Sequence, residues 1–204
     1  MRPQRHRVVA WKKENGYGVE LVDVKLDVDR LAADGVAIGW HPLPYRLEFS
    51  LDTAPGWVTS RLQVTTKGDG WSRSLDLRRS KVGAWTVTAS ASGDADLQRP
   101  GGDAKSLAGA VDCDLALCPL TNSMPVLRHE FLRNEGSVDF LMAWVSVPDL
   151  SVHAVAQRYT SLGDEGDSCH HVEYRAMDRG FVSELLFDAD GLVLDYPKLA
   201  KLVA

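Results

Sequence analysis

Short runs of strictly alternating apolar and polar residues constrain the fold of this chain more than any other feature. Residues 22–28 and 45–51 place apolar side chains at every second position, and in residues 181–187 the side chains of Phe181, Ser183, Leu185 and Phe187 face opposite those between them. Because successive side chains of a β-strand point to opposite faces, this period of two predicts strands with one buried face. Counting such runs along the chain predicts roughly a dozen strands and little helix. Turn-forming residues separate the runs, as at Asn15-Gly16, Gly68-Asp69-Gly70, Gly101-Gly102 and residues 188–191.

The number of strands, taken with a length of 204 residues, predicts the shape of the domain. A sheet of about a dozen antiparallel strands has two exposed edges, which proteins commonly manage by strong curling or by closure. We therefore expect an all-β fold in which residues 1–204 form a single domain, with a strongly curved antiparallel sheet as an open half barrel. Such a sheet encloses a concave space that side chains, a helix or a ligand must fill.

Charge and composition argue against several classes of partner. The formal net charge of −5 argues against a nucleic-acid-binding protein, which needs a basic surface to replace phosphate counterions. No apolar run reaches the ~18 residues of a membrane span, and no apolar segment typical of a signal peptide follows the basic N-terminus. Three cysteines are too few for a disulfide framework. We therefore expect a cytoplasmic protein without a transmembrane segment, and the sequence leaves the oligomeric state open.

The stretch of residues 111–128 carries the densest local signal. It predicts a strand, a proline-bounded loop at Asn122 and a second strand, so that the loop forms a hairpin presenting Arg128. Asp112 and Asp114 are two residues apart and therefore lie on one face of the first strand. Paired carboxylates can bind Mg²⁺ or transfer protons, but their alternation with apolar residues also fits an ordinary solvent-exposed strand face. We interpret the pair in this second way.

Candidate metal ligands cluster at Cys169-His170-His171, and Cys113 and Cys118, or His129, would complete a tetrahedral zinc site. The spacing matches no standard zinc motif, and adjacent residues of a strand point to opposite faces. We predict no metal and no cofactor, and we interpret the cysteines as buried and inert. The chain also lacks the phosphate-binding, dinucleotide-binding and nucleophile-elbow motifs of common enzyme families.

One further strand places an aromatic ring and a guanidinium on the same face. Trp57, Thr59 and Arg61 alternate there with Val58 and Ser60. An indole can stack on a ring, and a guanidinium can form two parallel hydrogen bonds to a polar head group. Most strand faces of this composition are only solvated. The face is therefore either a binding surface or ordinary solvent-exposed surface.

Three blocks in the second half of the chain resemble a bacterial family of uncharacterised proteins. Residues 112–128 resemble a pattern of the form D-x-D, then P-x-T-N and P-I-R-R, with Met124 and Leu127 as departures. Residues 144–159 are similar to the pattern P-x-L followed by Q-x-Y. Residues 174–197 are similar to an ending of the form D-x-x-G, an apolar residue, V-x-x-Y-P. These motifs, in this order, resemble the putative glycolipid-binding family.

The resemblance implies a curved antiparallel sheet similar to that of bacterial periplasmic lipoprotein carriers. Those carriers hold acyl chains in the concavity, so the resemblance implies a glycolipid or another amphipathic molecule as ligand. An enzyme of the violacein pathway also resembles this fold and rearranges an indole intermediate. The fold alone is therefore compatible with binding and with chemistry, because fold similarity transfers function poorly.

We favour a binding protein that holds an amphipathic small molecule in its concavity. The predicted ligand-binding residues at the mouth are Arg46, Arg61, Arg128, Gln157 and Tyr159. The alternative is a cofactor-free enzyme acting on a small aromatic or acyl substrate, with Glu20 as a candidate general base. A buried carboxylate with a raised pKa inside the cavity would favour that alternative. A third hypothesis is a protein–protein module that uses an exposed sheet edge.

Overall fold

The computed structural model describes residues 4–14, 18–164 and 169–203, and their strands form one large, mostly antiparallel sheet. The predicted Asn15-Gly16 turn lies outside the described residues. The strands are β1 (Arg5–Lys13), β2 (Val19–Leu26), β3 (Leu31–Gly39), β4 (Tyr45–Ala54), β5 (Val58–Gly68), β6 (Trp71–Arg79), β7 (Trp85–Gly93), β8 (Asp112–Leu115), β9 (Ser137–Val145), β10 (Val152–Asp164), β11 (His170–Ala176), β12 (Phe181–Phe187), β13 (Val193–Tyr196) and β14 (Ala200–Leu202).

The order of the strands joins the two ends of the chain in the middle of the sheet. Strands β1 to β7 run outward from the centre in sequence order, and β14 to β8 run outward on the other side. Strand β1 pairs with β14, with Trp11 opposite Leu202. All neighbours are antiparallel except β8 and β9, whose parallel register places Asp114 opposite Trp144. The sheet is open, and the expectation of a single all-β domain with a curved antiparallel sheet is confirmed.

The alternation in the sequence appears directly in the burial of the strands. In β2 the side chains of Val22, Val24 and Leu26 are buried, whereas Asp23 and Lys25 between them are exposed. Strands β3, β4 and β6 follow the same period of two. Each of these strands therefore has one face toward the core and one toward solvent, as the pattern predicted.

The β8–β9 end of the sheet is covered on both faces. Ala143 and Val145 of β9 belong to a large apolar cluster that includes the inner faces of β1 to β6. Phe140 and Met142, which point to the other face of β9, belong to a second cluster with residues of β10 to β13. Strand β8 lies against β5, where the backbone N–H of Cys113 donates to the Thr59 hydroxyl at 3.0 Å. The sheet therefore curls until this end lies inside the domain.

The second strand predicted within residues 111–128 is helical instead. A 3₁₀-helix (Pro119–Asn122) leads directly into α1 (Ser123–Arg128), and a further 3₁₀-helix (Ala104–Leu107) precedes β8. Pro119 begins the first of the two consecutive helices, where its fixed φ and missing N–H are tolerated. Leu120 and Met124 are fully buried, so the segment fills part of the concavity rather than forming a hairpin.

Among the residues that the structure describes, no helix is long and apolar enough to cross a membrane. The three described helical segments have four, four and six residues.

Candidate functional site

A cavity of about 480 Å³ lies between the β8 end of the sheet and strands β11 to β13. Its wall combines apolar side chains with a few polar ones. The lining residues are Asp114, Leu115, Ala116, Leu117, Cys118, Asn122, Trp144, Tyr174, Ala176, Arg179, Phe181, Tyr196, Lys198 and Leu199. A cavity of this size, apolar with a small number of placed polar groups, is typical of a small-molecule site.

The polar part of the wall is centred on Asp114. Its Oδ2 accepts a hydrogen bond from Gln157 Nε2 at 2.6 Å, and its Oδ1 accepts one from Thr121 Oγ1 at 3.0 Å. Burial raises the pKa of Asp114, although these two hydrogen bonds and the charge of Arg179 act in the opposite direction. The expectation that Asp112 and Asp114 form a solvent-exposed face is wrong. Both carboxylates point into the interior because β8 lies at the inner end of the curled sheet.

A second layer of polar side chains lies behind Asp114 and fixes its surroundings. The Tyr159 hydroxyl donates to Asn122 Oδ1 at 2.8 Å and lies 3.4 Å from Gln157 Oε1. Gln157 and Tyr159 are 0% and 1% exposed, and Asn122 is 4% exposed. Because buried polar groups are costly unless they are hydrogen-bonded, this network defines the position of each member.

Three aromatic rings also form part of the wall. The rings of Tyr174, Phe181 and Tyr196 are mutual neighbours, with centroid separations of 6.0 to 6.4 Å. Burial raises the pKa of Tyr174 and that of Tyr196 well above the ordinary tyrosine value. Both hydroxyls therefore stay protonated at neutral pH and can donate hydrogen bonds to a ligand.

A cation lies at the rim of the cavity. Arg179 belongs to the turn between β11 and β12, and its guanidinium carbon lies 4.7 Å from the centre of the Trp144 ring. Its side chain is about half exposed, and it also approaches Asp178 at 3.5 Å. Guanidinium groups stack on indole faces in this way without losing contact with water. The stacking keeps positive charge beside the opening.

The structure brings two of the five predicted ligand-binding residues next to the cavity. Gln157 and Tyr159 lie on β10 and support Asp114 and Asn122, which themselves line the wall. Their spacing of two residues, which the sequence resemblance singled out, places both side chains on the inner face of β10. They are thus one layer behind the surface that a ligand would contact.

Arg128, the last residue of α1, lies away from the cavity lining and is already paired with a residue of β8. Its guanidinium donates to both oxygens of Asp112, at 3.0 and 2.5 Å, and also to the carbonyl oxygen of Trp57 at 3.4 Å. Asp112 is 0% exposed. The guanidinium therefore compensates a buried carboxylate and ties α1 to β8 and to the start of β5.

Arg46 and Arg61 lie on the outer face of the sheet, away from the cavity. Arg46 pairs with Glu48 at 2.5 Å, and Arg61 donates two hydrogen bonds to Asp76, at 2.9 and 2.8 Å. The predicted shared face of Thr59 and Arg61 is wrong. A β-bulge at Ser60 of β5 breaks the alternation, because Arg61 pairs with Asp52 whereas Thr59 pairs with Thr53, so Thr59 is buried and Arg61 points outward.

Glu20, the general base of the enzyme hypothesis, does not line the main cavity. It is 3% exposed and accepts a hydrogen bond from Lys13 Nζ at 2.6 Å. Residues 115–118 separate it from the cavity and contact both sides. Nearby, burial and the charge of Glu20 raise the pKa of Tyr45 to about 12. The carboxylate that lines the cavity is Asp114 instead.

Within residues 4–14, 18–164 and 169–203, no group of three or more His, Cys, Asp and Glu side chains is arranged to hold a metal ion. His171 contacts Glu184 at 2.5 Å. Cys113 and Cys118 are buried, and burial raises the pKa of both thiols. Thiols with a raised pKa carry little thiolate, which is the reactive and metal-binding form.

Sequence reasoning missed the cavity residues contributed by β11 to β13. Tyr174, Phe181 and Tyr196 all occur in the third resemblance block, so a signal for them was present. Arg179 carried no such signal, because a single charged residue in a turn is an ordinary solvent-exposed feature.

Comparisons with known proteins agree on the fold. The family model described as "Putative glycolipid-binding" matches residues 8–201. The crystal structure of a DUF1089 family protein from Pseudomonas aeruginosa is similar to this chain, with a TM-score of 0.68 and 23% sequence identity. The similarity covers 89% of this chain and 91% of that chain. No curated protein matches the chain.

Proposed function

Because this chain belongs to the putative glycolipid-binding family, we propose that it binds an amphipathic, glycolipid-like small molecule in the cavity beside β8. The observation that carries the proposal is the cavity itself. It measures about 480 Å³, and its mostly apolar wall contains one half-buried carboxylate, Asp114. Apolar walls with a few polar groups bind molecules that have both characters.

The predicted ligand-binding set changes accordingly. We assign direct contacts to Asp114, Asn122 and Arg179, which line the cavity. Gln157 and Tyr159 act as positioning residues, since they hold Asp114 and Asn122 in place. Of the other predicted residues, Arg128 belongs to the interior ion pair, and Arg46 and Arg61 lie on the outer face.

The test is native mass spectrometry of protein purified from its own host, followed by lipid extraction. We expect a stoichiometric amphipathic ligand on the wild-type protein. The variant Ala116→Trp places an indole in the cavity wall and should remove the ligand. Ala91→Trp adds the same indole at an exposed position of β7 and serves as the matched control. A wild-type protein without ligand, or equal ligand occupancy in both variants, would contradict the proposal.

The alternative function is a cofactor-free enzyme acting on a small aromatic or acyl substrate in the same cavity. One observation favours it: burial raises the pKa of Asp114, a carboxylate that lines the cavity, which is the property required of a general base near neutral pH. The co-purified molecule, returned to the empty protein, distinguishes the two functions. An unchanged mass supports binding, whereas conversion that is lost in Asp114→Asn supports the enzyme.

We retain the cytoplasm as the proposed compartment. Cys113, Cys118 and Cys169 are all free thiols, and free thiols are typical of a reducing environment.

A further inference from the structure

The outward-facing side chains of β2 and β3 are apolar over a stretch where those of the next strands are polar. Val19 and Leu21 of β2 and Val36 and Ile38 of β3 are between 39% and 53% exposed. An antiparallel sheet with one solvated face normally carries polar side chains on that face. Strands β4 to β6 follow this rule at the corresponding positions, where they present Arg46, Glu48, Thr65, Lys67, Ser72 and Ser74. An apolar surface therefore interrupts the outer face of the sheet at β2 and β3.

These side chains form one contiguous surface because the strand register places them side by side. Val19 lies opposite Ile38, and Leu21 lies opposite Val36. Leu21 also lies opposite Ala10 of β1, whose carbonyl oxygen accepts a hydrogen bond at 2.9 Å from the residue that follows β14. We call this surface the outer patch, and its residues are Val8, Ala10, Val19, Leu21, Val36, Ile38 and Val203.

The outer patch is large enough to serve as an interaction site. It reaches over four adjacent strands, from β3 to β14, and over three successive outward-facing levels. With about 4.8 Å between strands and about 7 Å between levels, it extends about 14 Å in each direction between its outermost Cα atoms. Contiguous apolar patches of a few hundred Å² are typical of interaction sites. Because β1 to β3 lie near the middle of the sheet, a partner covers its face rather than an edge.

Cations collect at one end of the outer patch, in pairs that the strand register places opposite each other. Lys12 of β1 lies opposite Lys201 of β14, and Arg46 of β4 lies opposite Lys67 of β5. Two of these four side chains also have a carboxylate neighbour on the same sheet. Like charges directly opposite each other destabilise a sheet. This end of the patch is therefore basic and favours an acidic partner.

Carboxylates lie at the other end of the outer patch. Asp23 of β2 lies directly opposite Asp34 of β3 and, on its other side, opposite Val8 of β1. His6 contacts Asp23 at 2.7 Å, whereas within the residues that the structure describes no cation pairs with Asp34. This end is therefore acidic and favours a basic partner. The surface that fits the outer patch has an apolar centre between one acidic and one basic end, and the patch itself is such a surface.

A twofold axis that lies in the interface, at right angles to the strands, exchanges the two ends of the patch. The basic end of one copy then meets the acidic end of the other, whereas an axis parallel to the strands would bring like charges together. We propose that two copies of this chain form a symmetric dimer through the outer patch, with their strands antiparallel across the interface. Closed twofold dimers are the commonest oligomers of soluble proteins. No cavity-lining residue belongs to the outer patch, so the dimer leaves the proposed ligand site free of these contacts.

The first test is the oligomeric state, measured by sedimentation velocity between about 1 and 100 µM protein. We expect the wild type to form a dimer with a Kd of about 10 µM or lower. Leu21→Lys puts a charge in the middle of the outer patch and should weaken the dimer by about tenfold or more, and Val36→Lys should do the same from the neighbouring strand. Val182→Lys adds the same charge at an exposed apolar position of β12, outside the patch, and is the matched control.

A wild type that stays monomeric over this concentration range would overturn the proposal. A dimer that Leu21→Lys and Val182→Lys weaken equally would overturn it as well. Circular dichroism checks that each variant retains the β-sheet spectrum of the wild type, so that a loss of dimer reports on the surface and not on folding.

Charge reversal tests the orientation of the two copies. Arg46 and Asp34 lie on adjacent strands at opposite ends of the patch, so the proposed axis brings Arg46 of one copy near Asp34 of the other. In a dimer of Asp34→Lys alone or of Arg46→Glu alone, like charges meet at both ends, and we expect association to weaken about fivefold or more. An equimolar mixture of the two variants should restore it, because each contact then joins opposite charges. A mixture that associates no better than the single variants would overturn the proposal.

Discussion

The guanidinium of Arg128 holds both oxygens of the Asp112 carboxylate, at 3.0 and 2.5 Å, inside the domain. Asp112 belongs to β8, and Arg128 is the last residue of α1, so the pair joins the inner end of the sheet to the helix that fills the concavity. A carboxylate that is 0% exposed is tolerable only with such a partner. The two residues therefore form one structural unit.

Removing the arginine from this pair should destabilise the protein strongly. Arg128→Met leaves the Asp112 charge buried without its partner, and we expect a loss of about 3–5 kcal/mol in the free energy of unfolding. Urea denaturation followed by tryptophan fluorescence measures it. The double variant Asp112→Asn with Arg128→Met should recover part of the loss, because the buried charge is then absent.

Arg158→Met is the matched control for Arg128→Met. Arg158 also donates two hydrogen bonds to one carboxylate, that of Asp139, at 2.5 and 2.8 Å, but both side chains are exposed. Exposed pairs of this kind contribute little to stability. Equal losses in the two variants would show that the burial of Asp112 does not determine the effect.

The resemblance to the family identified Asp112 and Arg128, but their relationship could not be read from the sequence. Alternation with Cys113 and Leu115 is the same whether a strand faces solvent or another buried layer. What distinguishes the two cases is the curling of the sheet, which brings β5 to β8 although they are more than forty residues apart. The regular strands were predictable because local alternation alone determines which of their faces is buried.

The side chain of Asn122 should contribute to the stability of the fold first and to ligand binding only second. Its Oδ1 accepts the hydrogen bond of the buried Tyr159 hydroxyl at 2.8 Å. Asn122→Ala leaves that hydroxyl with the 3.4 Å contact to Gln157, so we expect a loss of about 1–3 kcal/mol in the free energy of unfolding. A double-mutant cycle with Tyr159→Phe in urea measures the coupling between the two side chains.

An exposed asparagine serves as the control for this cycle. Asn134 donates to Glu130 at 3.2 Å, and Asn134→Ala should change stability by less than about 0.5 kcal/mol. Unchanged thermal stability of Asn122→Ala together with abolished ligand binding would contradict the structural role.

The free energy of unfolding should depend on pH through the protonation of the Asp114 carboxyl group. Burial raises the pKa of this carboxyl, so the native state holds the proton more tightly than the unfolded state. The contribution of Asp114 to stability is therefore fully present below the ordinary aspartate pKa and is lost as the pH rises through the raised pKa. Asp114→Asn removes this loss.

The variant fits the existing network without a new unpaired group. The Oδ1 of the new asparagine accepts from Gln157, and its Nδ2 donates to the Thr121 hydroxyl oxygen, which directs its single proton to the Cys118 carbonyl oxygen. We expect Asp114→Asn to gain stability relative to the wild type as the pH increases above the ordinary aspartate pKa. Urea denaturation at several pH values measures the gain. A difference that shrinks over this range would show that the pKa of Asp114 is lowered instead.

The buried pair of Lys13 and Glu20 gives a further prediction. Lys13 donates to Glu20 at 2.6 Å and also to the carbonyl oxygen of Leu117, so it connects the inner face of β1 to the segment that separates Glu20 from the cavity. Both side chains are at most 3% exposed. Lys13→Met leaves the Glu20 charge without its partner, and we expect a loss of about 3–5 kcal/mol in the free energy of unfolding.

Lys12→Met provides the comparison, since Lys12 is the exposed neighbour on the same strand and loses the same charge. Its stability should stay within about 0.5 kcal/mol of the wild type. Combining Lys13→Met with Glu20→Gln removes the unpaired charge and should restore part of the stability lost in Lys13→Met. If the double variant is no more stable than Lys13→Met, the loss comes from the contact with Leu117 rather than from the buried charge of Glu20.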